Sequence, residues 1–237
     1  MQGNNAIILL SRPPQINRLV RDDYFTGLPW TDIDALFTAM LDDIIEAALR
    51  LDSTDVILYR DQTGFSDEDH HRFLENVRCH DVHRGAFAGH IAHGIDAAFG
   101  EGYARLIVVL ENDPRIDTDF LQGVLDQLHY EDDCIVIGPN VEGKCYLLGM
   151  KSNHSMLFKD AEGDQFNAPD VLIRRVCKSD VVVFLTRPLD GLDTGINLSR
   201  LKHALNASGS VRRTSALRTA GMFKSLEKKY KLQRTNR

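Results

Sequence analysis

The run Leu106-Ile-Val-Val-Leu110, closed by Glu111-Asn-Asp-Pro114, constrains the fold of this chain more than any other stretch. An aliphatic run with no polar alternation predicts a strand covered on both faces, since a half-exposed strand would alternate apolar and polar residues. Strands of this kind belong to mostly parallel sheets flanked by helices. Their carboxyl ends open onto the crevice where such sheets hold ligands. A second run, Cys134-Ile-Val-Ile137, ends in Gly138-Pro-Asn-Val-Glu-Gly143 and is followed by Cys145-Tyr-Leu-Leu-Gly149. Two such strands with acidic, Gly-bearing turns predict a nucleotide- or metal-facing edge, without specifying its chemistry.

The rest of the chain alternates strand-like and helix-like segments, which predicts a single α/β domain with one mostly parallel sheet. Ala6–Leu10, Asp55–Tyr59 and Val181–Leu185 read as further strands, with Ile135–Ile137 and Tyr146–Met150 placed around the turn at 140–144. Trp30–Leu51 reads as a long amphipathic helix on Ile33, Leu36, Phe37, Met40, Leu41, Ile44, Ala48 and Leu51, with Thr31 and Asp34 as its capping start. Asp67–Asn76, Gly85–Phe99, Thr118–Leu128, Ala168–Cys177 and Leu198–Leu205 read as shorter helices.

The net charge of −6 conceals an asymmetry. Residues 200–237 carry 11 of the 28 Lys and Arg but only one acid, Glu227. The acidic residues 1–205 are therefore expected to form the domain. Residues 206–237 are expected to form a basic tail, flexible at Ala207-Ser-Gly-Ser210 and helical on contact with a polyanion or a protein partner. No apolar run approaches the ~20 residues that would span a bilayer. The amino-terminal stretch lacks the basic flank of a secretory signal, so a cytoplasmic or organellar location is expected. The four cysteines have no CxxC spacing and read as reduced, mostly buried thiols. The histidines between 70 and 93, with Cys79 among them, lack a second firm ligand pair and read as surface imidazoles or as one base near the ligand. There is no Walker loop, no Gly-x-Ser-x-Gly and no His-Glu-x-x-His, so P-loop, serine-hydrolase and zincin chemistry have no support.

In the order of its pieces the chain resembles the glycosyltransferase-A-like nucleotide-diphospho-sugar transferases of the radical-SAM/selenodomain-associated and arsenosugar-biosynthesis type. The resemblance covers roughly residues 6–205. Arg105–Pro114 is similar to that family's strand ending in Thr-Asp-Cys-Pro, and Gly138–Met150 to its Gly-Pro-x-x-Asp-Gly-Gly-Tyr-Tyr-Leu-Ile-Gly. Leu192-Asp-Thr194 resembles its late Asp-Ile-Asp-Thr, and Ser11-Arg-Pro-Pro14 its Ala-Arg-Ala-Pro. The polar positions depart from the pattern: Asn112 stands for the metal-side Asp, Glu142 for the motif Asp and Lys144 for the second Gly.

The resemblance implies a nucleotide diphosphate at the carboxyl edge of the sheet, bound as part of a nucleotide sugar. It implies Mg²⁺ or Mn²⁺ on Asp113 and Glu142, with Asp113 and Asp193 as catalytic carboxylates. Arg12, Arg18 and Arg21 would clamp the phosphates, and an acceptor would enter beside Tyr146. Three readings stay open: a glycosyltransferase, a catalytically inert descendant retained as a binding or assembly subunit, and a nucleotidyltransferase acting at the same edge.

Overall fold

The computed structural model describes residues 4–11, 28–61, 75–82, 87–158, 168–176, 180–191, 195–207 and 216–230. Its strands are β1 (Asn5–Ser11), β2 (Thr54–Asp61), β3 (Val77–Val82), β4 (Arg105–Val109), β5 (Cys134–Pro139), β6 (Cys145–Met150) and β7 (Val182–Leu185). They form one sheet in the order β3-β2-β1-β4-β6-β5-β7. β6 runs antiparallel to β4 and β5, while the remaining pairs are parallel. Every strand except β6 therefore points its carboxyl end to the same edge, as the apolar runs predict.

The helices are α1 (Trp30–Leu49), α2 (Phe87–Gly100), α3 (Thr118–Gln127), α4 (Pro169–Val176), α5 (Gly195–Ala207) and α6 (Leu217–Tyr230), with a 3₁₀ turn at Ser155–Leu157. Strand alternation sorts the core into two layers. Ala6, Ile8 and Leu10 of β1, with Leu106 and Val108 of β4, pack beneath Ile91 and Ile95 of α2 and Leu172 of α4. Ile7, Leu9, Ile107 and Val109 pack on the opposite face against Leu41, Ile44 and Ile45 of α1 and Leu121, Val124 and Leu125 of α3. Asp117 caps α3 by accepting from the Phe120 amide at 2.9 Å, while Thr118 Oγ1 donates to the Ala47 carbonyl at 2.9 Å and ties α3 to α1.

Several local expectations need correction. No side-chain cap starts α1, whose preceding residue is Pro29. Of the helix expected over Asp67–Asn76, residues 67–74 lie outside the described residues. Glu75 and Asn76 form a turn that leads into β3. β3 is an edge strand on which, among the residues whose side chains are described, Val77 alone is buried, so its sequence carries too little apolar signal to be read as a strand.

The separation of a tail from the domain also fails over Leu217–Tyr230. The apolar stripe of α1 is broad enough to serve two partners. Leu41, Ile44 and Ile45 face the sheet, whereas Leu36 and Met40 pack with Leu198 and Leu201 of α5 and Phe223 and Leu226 of α6. Asp43, buried on α1, accepts from the amides of Arg218 (3.1 Å) and Thr219 (2.8 Å) and from Thr219 Oγ1 (2.7 Å). A carboxylate from one helix thus satisfies amides in the first turn of another, where the helix dipole also favours negative charge. At the far end of α6, Lys229 donates to both oxygens of Asp32 at 2.9 Å and Tyr230 donates to the same carboxylate. Lys202 of α5 pairs with Glu227 of α6. These apolar and ionic contacts make this basic helix part of the fold. No described helix is long and apolar enough to cross a membrane.

Candidate functional site

Where β4 ends, the chain leaves the ladder while the amides of Leu110 and Glu111 both donate to the Tyr146 carbonyl, at 2.8 and 3.3 Å. A turn follows in which Asp113 Oδ1 accepts from the Arg115 amide at 2.9 Å and the Ile116 amide donates to the Asp113 carbonyl at 2.9 Å. Pro114 suits the second position of such a turn, and Asp the first. The turn folds the Arg115 side chain back onto Asp113, which is only 1% exposed. Arg115 Nε lies 2.9 Å from Oδ1 and 3.1 Å from Oδ2, and Nη2 also bonds Oδ2.

The same guanidinium reaches the segment after β7. Its Nη1 donates to Asp190 Oδ2 at 3.1 Å and its Nη2 to the Asp190 carbonyl at 3.3 Å. Burial by itself would lower the basicity of Arg115. Hydrogen bonds to Asp113 and its charge, reinforced by Asp190, reverse that and raise the pKa above the ordinary guanidinium value. Arg187 donates to the Arg115 carbonyl at 3.3 Å and lies over the Phe120 ring, its guanidinium carbon 5.4 Å from the centroid. Arg200 stands 3.7 Å from Asp190 Oδ1.

The second strand end is organised by Asn140, which is buried. Its Oδ1 accepts from the amides of Glu142 (3.0 Å) and Lys144 (2.8 Å), which fixes the turn. Gly143 takes a φ of 80°, a conformation that favours glycine. Asn140 Nδ2 donates to Glu111 Oε1 at 2.9 Å and so links the ends of β5 and β4. The Glu142 carboxylate lies against Gly191, where a Cβ would stand 2.5 Å from Oε2. The pair Asp190-Gly191 therefore touches Arg115 on one side and Glu142 on the other.

Asp113 and Glu142 thus lie on one edge, on two sides of one short segment. Asp193, Arg12, Arg18 and Arg21 lie outside the described residues. The Asp113 side chain assigned to the metal is engaged by a guanidinium in this geometry. Both oxygens of Asp113 accept from Arg115, and among the described residues no three His, Cys, Asp or Glu side chains group as an ion site.

The acceptor role of Tyr146 is likewise corrected, because the residue has no exposed surface. Its hydroxyl shares a hydrogen bond with Thr186 Oγ1 at 2.6 Å and donates to the Arg187 carbonyl at 2.8 Å. Burial pushes its pKa up to about 12. The ring lies so close to β5 that a Cβ at Gly138 would meet it at 2.7 Å. Tyr146 supports the site from behind by holding the Thr186–Arg187 segment. Cys145, its neighbour, is also buried, and burial followed by the charge of Glu111 pushes its thiol up to about 12.

Sequence reasoning missed Arg115, Glu111, Asn140 and Asp190. The available signal was positional: Asp-Pro-Arg immediately after a strand, and Asn at the first place of the Gly143 turn. The partner of Arg115, Asp190, is 75 residues away and has no local mark.

In fold the chain is similar to a candidate nucleotide-diphospho-sugar transferase from Desulfovibrio desulfuricans G20, with 17% identity, 96% of each chain covered and a TM-score of 0.76. It is also similar to a 4-diphosphocytidyl-2C-methyl-D-erythritol synthase from Anaerococcus prevotii DSM 20548, at 11% identity over 85% of this chain and 96% of that one, with a TM-score of 0.53. A manganese complex of Rv0371c from Mycobacterium tuberculosis H37Rv overlaps at 14% identity, covering 85% and 98%, with a TM-score of 0.47, a likeness too slight to transfer anything. No curated protein sequence matches the chain. The chain shares the fold of these two proteins, a mostly parallel sheet flanked by helices, as the resemblance implies. A family model covers residues 44–163, which includes β4, the Asp113 turn, β5, β6 and the Asn140 turn. The chain belongs to that family, described as "Uncharacterized protein conserved in bacteria (DUF2064)".

Proposed function

We propose that the carboxyl edge of the sheet binds a nucleoside diphosphate carried on a sugar, and that the chain is a nucleotide-sugar transferase or a close descendant of one. One observation carries this reading. Asp113, Arg115, Asn140, Glu142 and Asp190 gather at the strand ends, and Asp113 and Asn140 are buried there. A packed apolar contact could close a sheet edge with less desolvation cost, so buried polar groups at the ligand-bearing edge favour a binding role.

Arg12, Arg18 and Arg21, in the segment after β1, are assigned the diphosphate, for which bidentate guanidinium contacts are suited. Asp193, two positions beyond Gly191, is assigned the acceptor proton. The exposed Arg187 and Arg200 add positive charge on the side of Asp190.

A thermal-shift series with uridine, guanosine, cytidine, thymidine and adenosine diphosphates and their common sugar conjugates tests the reading. A ligand present at 100 times its Kd and bound only by the native state adds ~2.7 kcal/mol. In a chain of this size that corresponds to a midpoint rise on the order of 5–10 °C. At least one nucleotide is expected to give such a rise. No shift with any member of the series contradicts the proposal. Product analysis with the ligand that binds separates sugar transfer from nucleotidyl transfer with pyrophosphate release.

A further inference from the structure

We infer that Arg115 stands in place of a divalent cation at this edge, so that a nucleoside diphosphate binds there without a metal ion. The inference rests on the nucleotide reading above and adds how the charge of that ligand is met.

An ion shared between strand ends needs carboxylate oxygens that face a common space. Here the two carboxylates nearest that description, Asp113 after β4 and Asp190 after β7, converge on one guanidinium. Arg115 contacts both oxygens of Asp113 at 2.9 and 3.1 Å through Nε alone and reaches Asp190 Oδ2 at 3.1 Å. It therefore joins the ends of two strands as a bridging ion would.

The charges agree with the geometry. Asp113 and Asp190 supply two negative charges. Arg115, Arg187 and Arg200 stand against these two, so a cation already balances the carboxylates at the meeting point of the two strands. The exposed Arg187 and Arg200 beside this pair are guanidinium groups, which bind phosphate oxygens in pairs. A divalent cation would have to displace a hydrogen-bonded arginine from a carboxylate that is 1% exposed.

Manganese binding by the full-length protein is measured first, from the free Mn²⁺ signal in electron paramagnetic resonance. Nucleoside diphosphate binding is then measured by calorimetry in EDTA and again in Mn²⁺. The wild type is expected to leave the Mn²⁺ signal undiminished and to bind the nucleotide with the same affinity in both buffers. Stoichiometric Mn²⁺ uptake at micromolar concentrations, or nucleotide affinity that appears only with Mn²⁺, overturns the inference.

In Arg115→Ala, with Asp113 and Asp190 uncovered, Mn²⁺ uptake is expected to appear. A folded Arg115→Ala protein that still ignores Mn²⁺ overturns the claim that the guanidinium occupies an ion's place. Should that variant fail to fold, Arg115→Lys keeps a cation and is expected to ignore Mn²⁺ like the wild type; uptake by it overturns the inference. If no nucleoside diphosphate binds in either buffer, the function reading fails, while the Mn²⁺ titration still decides the question of the ion.

Discussion

Replacing Arg115 by alanine is expected to lower the unfolding free energy by ~3–5 kcal/mol, the range found when one partner of a buried ion pair is removed. Asp113 would be left buried, keeping only the Arg115 amide as a donor, and Asp190 would lose its link to β4. For a domain of this length each kcal/mol moves the midpoint by about 2–4 °C, so the expected fall is on the order of 10 °C. Removing both charges with Asp113→Asn and Arg115→Met should cost less than Arg115→Ala, since the fully buried Asp113 no longer carries an unpaired charge. Urea denaturation of the single and double variants checks both statements. A single variant as stable as the wild type would show the Asp113–Arg115 pair to be a surface contact of no structural weight.

Deletion of residues 208–237 is expected to have an effect at least as large. It removes Phe223 and Leu226 from the cluster they form with Leu36, Met40, Leu198 and Leu201, and it strips Asp43 of three hydrogen bonds. Truncation of one buried Phe alone costs ~3–5 kcal/mol, so Phe223→Ala separates the packing from the hydrogen bonding. The truncated chain should melt well below the full one, or fail to fold. An unchanged midpoint would restore the reading of residues 206–237 as a solvated tail.

That reading illustrates how far a sequence carries. The sheet was legible because Leu106–Leu110 and Cys134–Ile137 are continuous apolar runs, which only a strand covered on both faces tolerates. α6 was not, because its cations dominate its composition and its partner face on α1 lies 175 residues earlier in the chain. The broad apolar stripe of α1 held the missing clue, since a helix with one partner needs a narrower one. β3 was missed for the opposite reason: an edge strand needs few apolar residues and offers few. At the site, the strand-end positions of Asp113 and Glu142 were legible as a shared edge. The state of Asp113 was not, because it depends on Arg115 folding back over a Pro turn and on Asp190 arriving from the end of β7. Tyr146 was misread because a tyrosine beside a Gly-rich turn has the same local sequence whether it faces a ligand or fills the space above Gly138.

Hydrogen exchange of the full chain with and without a nucleoside diphosphate reports whether the carboxyl edge of the sheet binds it. Binding at this edge should slow exchange in the peptides spanning 110–116, 139–144 and 186–191, and leave the opposite edge around Arg78 and Tyr103 unchanged. Protection confined to that opposite edge, or no protection with any nucleoside diphosphate, would contradict binding at the carboxyl edge.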